Sequence, residues 1–193
     1  MKLMGLEALY PRPRTSIPEP AHLKYPYLLK DLSAERPDQI WGTDITYIRA
    51  EGMWFYLVAI IDWFSRYVLS WRLAETMEVG SCIETLEEAL TIAIPDIHNS
   101  DQGSQFTAEE YIAVIKRHPT IRISMDGRGR CFDNIFTERL WRTVKYEEVY
   151  VKEYRSGVDA RASLRDYFIT YNTRRLHSSL NYKTPAEVYF GRS

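Results

Sequence analysis

The chain reads as an α/β protein built on a mixed five-stranded sheet with helices on its faces. Three observations predict this. Residues 40–73 hold three β-rich apolar runs joined by short turns, which makes them an antiparallel meander. Helical and strand-like segments then alternate as far as residue 145, the pattern of crossover connections. Finally, the 193 residues are 45% apolar and 26% charged, an ordinary globular composition with enough apolar side chain for a core without staples.

The elements follow in order. Met1–Tyr10 has the look of a helix tail, and Pro11, Pro13, Pro18, Pro20 and Pro26 then forbid regular structure. Residues 1–38 are therefore expected to form a proline-rich arm, the remnant of an upstream region, with 11–38 lying extended on the main domain. Ile40–Ile48 is a strand, Arg49–Gly52 a turn, and Met53–Ile61 an almost unbroken apolar run expected of a central strand. Asp62–Arg66 turns the chain into a third strand, Tyr67–Leu73; Asp62 is read as a strand-end cap or a partner of Arg66. Val79–Ala93 is an amphipathic helix, and Asp96–Asn99 a short strand expected to run parallel to the first. Thr107–Arg117 is a helix with Thr107 at its N-cap, Ile121–Met125 the fifth strand, and Asp126–Arg130 a basic loop. A helix starts near Asp133, another spans Ser156–Leu180, and Thr184-Pro185 opens a short one. The expected organisation is the arm 1–38, a core 39–155 and a helical extension 156–193.

Chemistry enters through three acids. Asp101 lies in His98-Asn99-Ser100-Asp101-Gln102-Gly103-Ser104-Gln105-Phe106, beyond the carboxyl end of a strand, where open α/β sheets place ligands. Alone it means little, since Asn, Ser, Asp and Gly are ordinary turn residues. Asp44, however, sits within the apolar run Trp41-Gly42-Thr43-Asp44-Ile45-Thr46-Tyr47, where a strand gains nothing from a charge. Glu138 lies on the helix from Asp133. Its face also carries Asn134, Trp141 and Lys145, and the opposite face (Phe136, Leu140, Thr143, Val144) is core. That first face is either functional or a plain solvated stripe. Three carboxylates on three elements suit a site for hard cations.

Net charge is −1, which by itself argues against a nucleic-acid binder, but its distribution is uneven. Residues 51–115 carry two basic and eleven acidic side chains, while 116–145 carry eight basic and three acidic and 151–193 eight and four. This is either a cationic surface around an acidic pocket or a set of solvated helix faces. Cys82 and Cys131 lack metal-ligand spacing and are expected to be reduced thiols. With no signal peptide and no apolar run long enough to span a bilayer, the expected location is the cytoplasm.

Taken together, the motifs resemble the catalytic core of retroviral-integrase-like transposases from bacterial insertion sequences. The matching stretches are Trp41–Tyr47, Asn99–Phe106, Ser124-Met125-Asp126-Gly127-Arg128-Gly129, Asp133–Arg139, and Tyr171-Asn172 through His177-Ser178-Ser179-Leu180 with Thr184-Pro185. They fall in the family's order over about residues 36–191. The resemblance implies a ribonuclease H-like fold and an Asp-Asp-Glu catalytic triad of Asp44, Asp101 and Glu138. It also implies DNA cleavage and strand transfer at element ends, by at least a dimer on DNA. The chain departs from the pattern twice. Thirty-six residues separate Asp101 from Glu138, one more than usual, and the surplus is assigned to a surface loop near Arg117–Thr120. The helix-turn-helix region that reads element ends is also not evident, so a separate recognition protein or domain is a possible partner.

Phosphodiester chemistry with these residue types calls for two Mg²⁺ (or Mn²⁺) ions, Asp44 serving both, Asp101 one and Glu138 the other. Asn134, Arg142, Lys145, Arg128 and Arg130 are the candidate DNA contacts. Without metal the acids repel, so the loop Asp126–Asp133 is expected to be mobile and Mg²⁺ to raise the melting temperature. Two alternatives stay open: a stand-alone nuclease of the same fold, and an inactive chain that binds DNA or a transposase as an inhibitor.

Overall fold

A computed structural model describes residues 25–126 and 135–191. The strands are β1 (Ile40–Ala50), β2 (Met53–Asp62), β3 (Val68–Ala74), β4 (Ile97–Ser100) and β5 (Arg122–Met125). They form one sheet in the order β3-β2-β1-β4-β5. The three-strand meander is antiparallel, and β4 and β5 add to it in parallel, as crossover connections require.

Helices α1 (Val79–Leu90) and α2 (Glu109–Lys116) cover one face of the sheet. Alternate β-strand side chains such as Trp41, Val58 and Ile60 meet Leu86, Ala89, Ile112 and Ile115 there. The other face carries Ile40, Ile48, Leu57 and Ala59 against α3 (Ile135–Val144) and α4 (Gly157–Thr173). Leu164, Phe168 and Tyr171 of α4 share this cluster with Leu140 and Val144 of α3, so the C-terminal helix packs against the same sheet. Its first residue must be small: a Cβ on Gly157 would come within 2.5 Å of the Phe55 ring. Residues 25–38 cross the sheet's other end, where Ser124 Oγ accepts from the Leu28 amide at 3.0 Å.

Several boundaries differ from the sequence expectation, each for a physical reason. β1 runs on to Ala50, because Glu51 and Gly52 (φ 49° and 77°) make a two-residue mirror-image turn that keeps the strands in register. Thr107 does not cap α2. Its hydroxyl donates back to the Gly103 carbonyl at 3.0 Å, and the helix starts after Ala108 without a side-chain cap. α4 ends at Thr173 instead of Leu180. Just before that end, the Asn172 side chain closes two bonds with the backbone of Val68 (3.0 and 2.9 Å), standing in for a missing neighbour strand at the β3 edge. The short helix α5 (Pro185–Tyr189) has the expected Thr184 cap, completed into a reciprocal capping box by Glu187.

Asp62 is buried, and its carboxylate accepts from the Asp38 amide (2.9 Å) and from the Ser65 amide and hydroxyl (2.7 and 2.6 Å). It is a turn cap at the end of β2. Cys82 is a buried free thiol, and Cys131 lies outside the described residues. No described helix is long and apolar enough to cross a membrane.

Candidate active site

The sheet register brings the first two acids side by side. β1 and β4 are parallel, with Gly42 opposite Asn99. Asp44 lies two residues further along β1, and Asp101 two residues further along its own segment, one past the end of β4, so the register carries both toward the same side of the sheet. The two strands separate there, because β1 continues in its hairpin with β2 while β4 stops at Ser100.

The third acid arrives on α3. Trp141, one turn beyond Glu138, is buried against β1, and its indole Nε1 donates to Asp44 Oδ2 at 3.0 Å. This bond fixes the helix that carries Glu138 to the strand that carries Asp44. The other oxygen of Asp44, Oδ1, accepts from the Ile45 amide at 2.8 Å. The Trp141 indole, which the sequence places in a row with Glu138 and Lys145, therefore turns inward and organises the site from beneath. Its spacing of three residues from Glu138 was the available signal.

Asp101 is held by its own turn. Its Oδ1 accepts from the Gly103 amide at 2.8 Å. The approach is close: a Cβ there would stand 2.9 Å from the same oxygen, so a larger residue would push the carboxylate aside. Behind it, Asn99 Nδ2 donates to Asp126 Oδ1 at 2.9 Å, joining the ends of β4 and β5.

The electrostatics join all three acids. Burial raises the Asp44 carboxyl from 3.8 to about 6; the charges of Asp101 and Glu138 push the same way, against the Ile45 and Trp141 hydrogen bonds. Asp101 is open to solvent at the mouth of the site, yet the protein around it lifts its carboxyl above the ordinary value, opposed by the Gly103 amide. Glu138 is exposed at the start of α3. Among the described residues no three His, Cys, Asp or Glu side chains are gathered tightly enough to enclose a metal ion. The donor set nevertheless fits one. It consists solely of carboxylate oxygens, which hard cations prefer, and Asp44 is destabilised as an anion by its two neighbours.

The other expected contacts are dispersed. Lys145 lines a groove with Tyr47, Arg49, Trp54, Tyr56 and Tyr150, and Arg142 lines a separate basic pocket. Asn134, Arg128 and Arg130, and most of the loop Asp126–Asp133, lie outside the described residues.

Comparison with known proteins bears on what such an arrangement is. Two family models, both described as integrase core domain, match residues 34–131 and 120–185. The transposase for insertion sequence element IS629 of Shigella sonnei is 30% identical over 192 residues, 97% of this chain and 64% of that protein. The transposase InsF for insertion sequence IS3A of Escherichia coli (strain K12) is 34% identical over 155 residues, 78% of this chain and 54% of that protein. The chain thus spans less than two thirds of the length of these curated relatives. Among solved structures, one of the simian T-cell lymphotropic virus intasome in complex with PP2A regulatory subunit B56 gamma superposes with a TM-score of 0.71 at 19% identity. That match covers 89% of this chain and 60% of the other. The HTLV-2 integrase catalytic core domain in complex with magnesium, in its dimeric form, superposes with a TM-score of 0.60 at 17% identity, covering 80% and 98%. These likenesses establish the ribonuclease H-like fold.

Proposed function

The chain belongs to the integrase core domain family, and from that premise we propose that it is the catalytic part of a DNA transposase, cleaving DNA at insertion-sequence ends and joining the freed ends to a target. The observation that carries this reading is the meeting of Asp44, Asp101 and Glu138, from two parallel strands and one helix, with their charges acting together on Asp44. The two curated relatives are named as transposases of insertion sequences, which supports the same reading.

Asp44, Asp101 and Glu138 would hold divalent cations, Mg²⁺ or Mn²⁺, with two ions expected. When bound, such ions lower the pKa of an attacking oxygen and neutralise the non-bridging and leaving oxygens of the phosphodiester. The residues of the chain do the positioning. Trp141 and the Ile45 amide each occupy one lone pair on an Asp44 oxygen, which leaves each oxygen another for a cation. The Gly103 amide does the same for Asp101. No side-chain nucleophile is required: water attacks in cleavage, and a DNA 3′-hydroxyl attacks in joining.

Arg142 and Lys145 are assigned to DNA phosphates, together with Asn134, Arg128 and Arg130. The working species is a dimer or larger on DNA in the cytoplasm, with end recognition supplied by a further domain or a helix-turn-helix partner. The test is strand transfer with an oligonucleotide duplex carrying a pre-cleaved insertion-sequence end and a plasmid target, in Mg²⁺ or Mn²⁺. Joined products that vanish with Glu138→Gln support the proposal. Cutting without joining would favour the stand-alone nuclease instead.

A further inference from the structure

A second site lies on the far side of Arg139, the neighbour of Glu138 in α3. A pocket of about 450 Å³ is lined by Arg66, Arg139, Arg142 and Arg175, with His177 and Glu147. Its cations come from three parts of the fold: the β2–β3 turn, α3, and the segment after α4. Four guanidinium groups face a single carboxylate, and that carboxylate is taken. Glu147 accepts from Arg175 Nη2 at 2.6 Å and Nε at 2.9 Å.

Arg66 is the member with a buried donor left over. Its backbone is left-handed (φ 65°), a conformation disfavoured for any residue with a side chain. Its guanidinium lies 3.6 Å above the Phe136 ring. Nη1 is buried without a hydrogen-bond partner among the described residues. Burial lowers its pKa to about 10; Tyr171 and the Asp62 carboxylate oppose this, and the like charge of Arg139 adds to the burial effect. His177 is lowered to about 4 by burial, with Arg175 and Arg66 pushing the same way, so it stays neutral and cannot relieve or add to the crowding at pH 7. Arg175 Nη1 stands 3.3 Å from its Nε2. Native proteins seldom leave a buried N–H unmet. An anion with several acceptor oxygens, which planar guanidinium forks grip bidentately, suits such a set of donors.

We propose that this pocket binds a phosphate group of the DNA strand, anchoring it beside the acidic site through Arg66 and Arg139, with the Arg175–Glu147 pair as its wall. The DNA part of this assignment rests on the function proposed above. It gives a role to Arg175 and His177 within the Tyr171–Leu180 stretch, which the acid chemistry leaves unused. The shared α3 helix links the two sites, because Arg139 and Glu138 are consecutive.

The test uses the whole chain without divalent metal. Melting is followed in inorganic phosphate and in chloride of equal ionic strength, for the wild type, Arg139→Gln and Arg66→Lys. Arg139 is exposed, so Arg139→Gln should melt like the wild type in chloride, which keeps the comparison interpretable. Phosphate should raise the wild-type melting temperature more than chloride does, and that excess should fall in both variants. A DNA duplex should bind Arg139→Gln roughly tenfold more weakly, and for that variant the slope of log affinity against log salt should drop by about 0.9, the loss of one phosphate contact, whereas Arg66→Lys keeps its charge and its slope. Equal melting in phosphate and chloride, with an unchanged salt slope, would overturn the site. A phosphate effect with an unchanged DNA slope would overturn the DNA assignment and leave a pocket for a free phosphate-bearing ligand. Neither readout involves cleavage, so failed strand transfer with an intact phosphate effect would sink the catalytic reading alone.

Discussion

The metal-free protein should become less stable as pH rises through the acid site, and Asp44→Asn should remove the Asp44 share of that loss. Asp44 has a folded-state pKa of about 6 against 3.8 for the ordinary group. Because the folded value is raised, the folded state binds the proton more tightly than the unfolded chain. The protonated carboxyl is thus tolerated at low pH, and stability falls as pH climbs from about 4 to about 6 and beyond, the full shift amounting to about 3 kcal/mol. Between pH 4 and pH 8 the part that is lost is about 2–3 kcal/mol, since the unfolded chain is already half ionised at the lower limit. Asn cannot ionise. Whatever constant offset it introduces, including an amide facing the Trp141 N–H, cancels when the variant's stability difference from wild type at pH 8 is compared with that at pH 4. Urea unfolding in EDTA across this range measures it. On a chain of this size the swing corresponds to a melting shift of about 5–10 °C. Parallel pH profiles for the two proteins would refute the electrostatic description of the site. Adding Mg²⁺ at pH 8 should stabilise the wild type and leave Asp44→Asn almost unchanged.

Two substitutions probe the supports of the site and a third the turn after β2. Trp141→Phe removes the 3.0 Å bond to Asp44; it should cost about 1.5–3 kcal/mol in urea unfolding at pH 8 and reduce metal-dependent nicking of plasmid DNA. Gly103→Ala would place a Cβ 2.9 Å from Asp101 Oδ1; nicking should fall by about two orders of magnitude with little change in melting temperature, as expected of a carboxylate displaced by a fraction of an ångström to one ångström. Asp62→Ala strands the three donors that its carboxylate now satisfies; a loss of about 3 kcal/mol or more by urea unfolding is expected, and an unchanged midpoint would contradict its role as a turn cap.

The sheet was legible because its signals are local. The apolar run of β2, the turns on either side and the strand-helix alternation after β3 fix both the elements and their directions. The three acids were legible as anomalies, above all Asp44 in an apolar strand. What escaped depended on tertiary contacts. Helical periodicity placed Trp141 on the Glu138 face, but it does not say that the face rotates inward to meet β1. The end of α4 is set near Asn172, whose side chain bonds to the edge of β3, 104 residues away in sequence. Past α3 the helix widens into a π turn over Lys145–Val149, and the buried Glu148 accepts from Ser163 Oγ of α4 at 2.6 Å; no sequence period announces that turn. The basic pocket was likewise hidden. Arg139, Arg142 and Arg175 sit in basic blocks that read equally well as solvated helix faces, Arg66 sits in a turn of an acidic stretch, and only the fold brings Arg66 to Arg175.

Nicking of supercoiled plasmid by the wild-type chain and by Asp101→Asn, in Mg²⁺ and in Mn²⁺, tests the central claim most directly. Metal-dependent nicking is expected of the wild type and should be abolished in the variant, with both proteins melting cooperatively. Equal nicking by the two proteins would contradict it, because a carboxylate site built on Asp44, Asp101 and Glu138 cannot lose one of its acids and continue to cut.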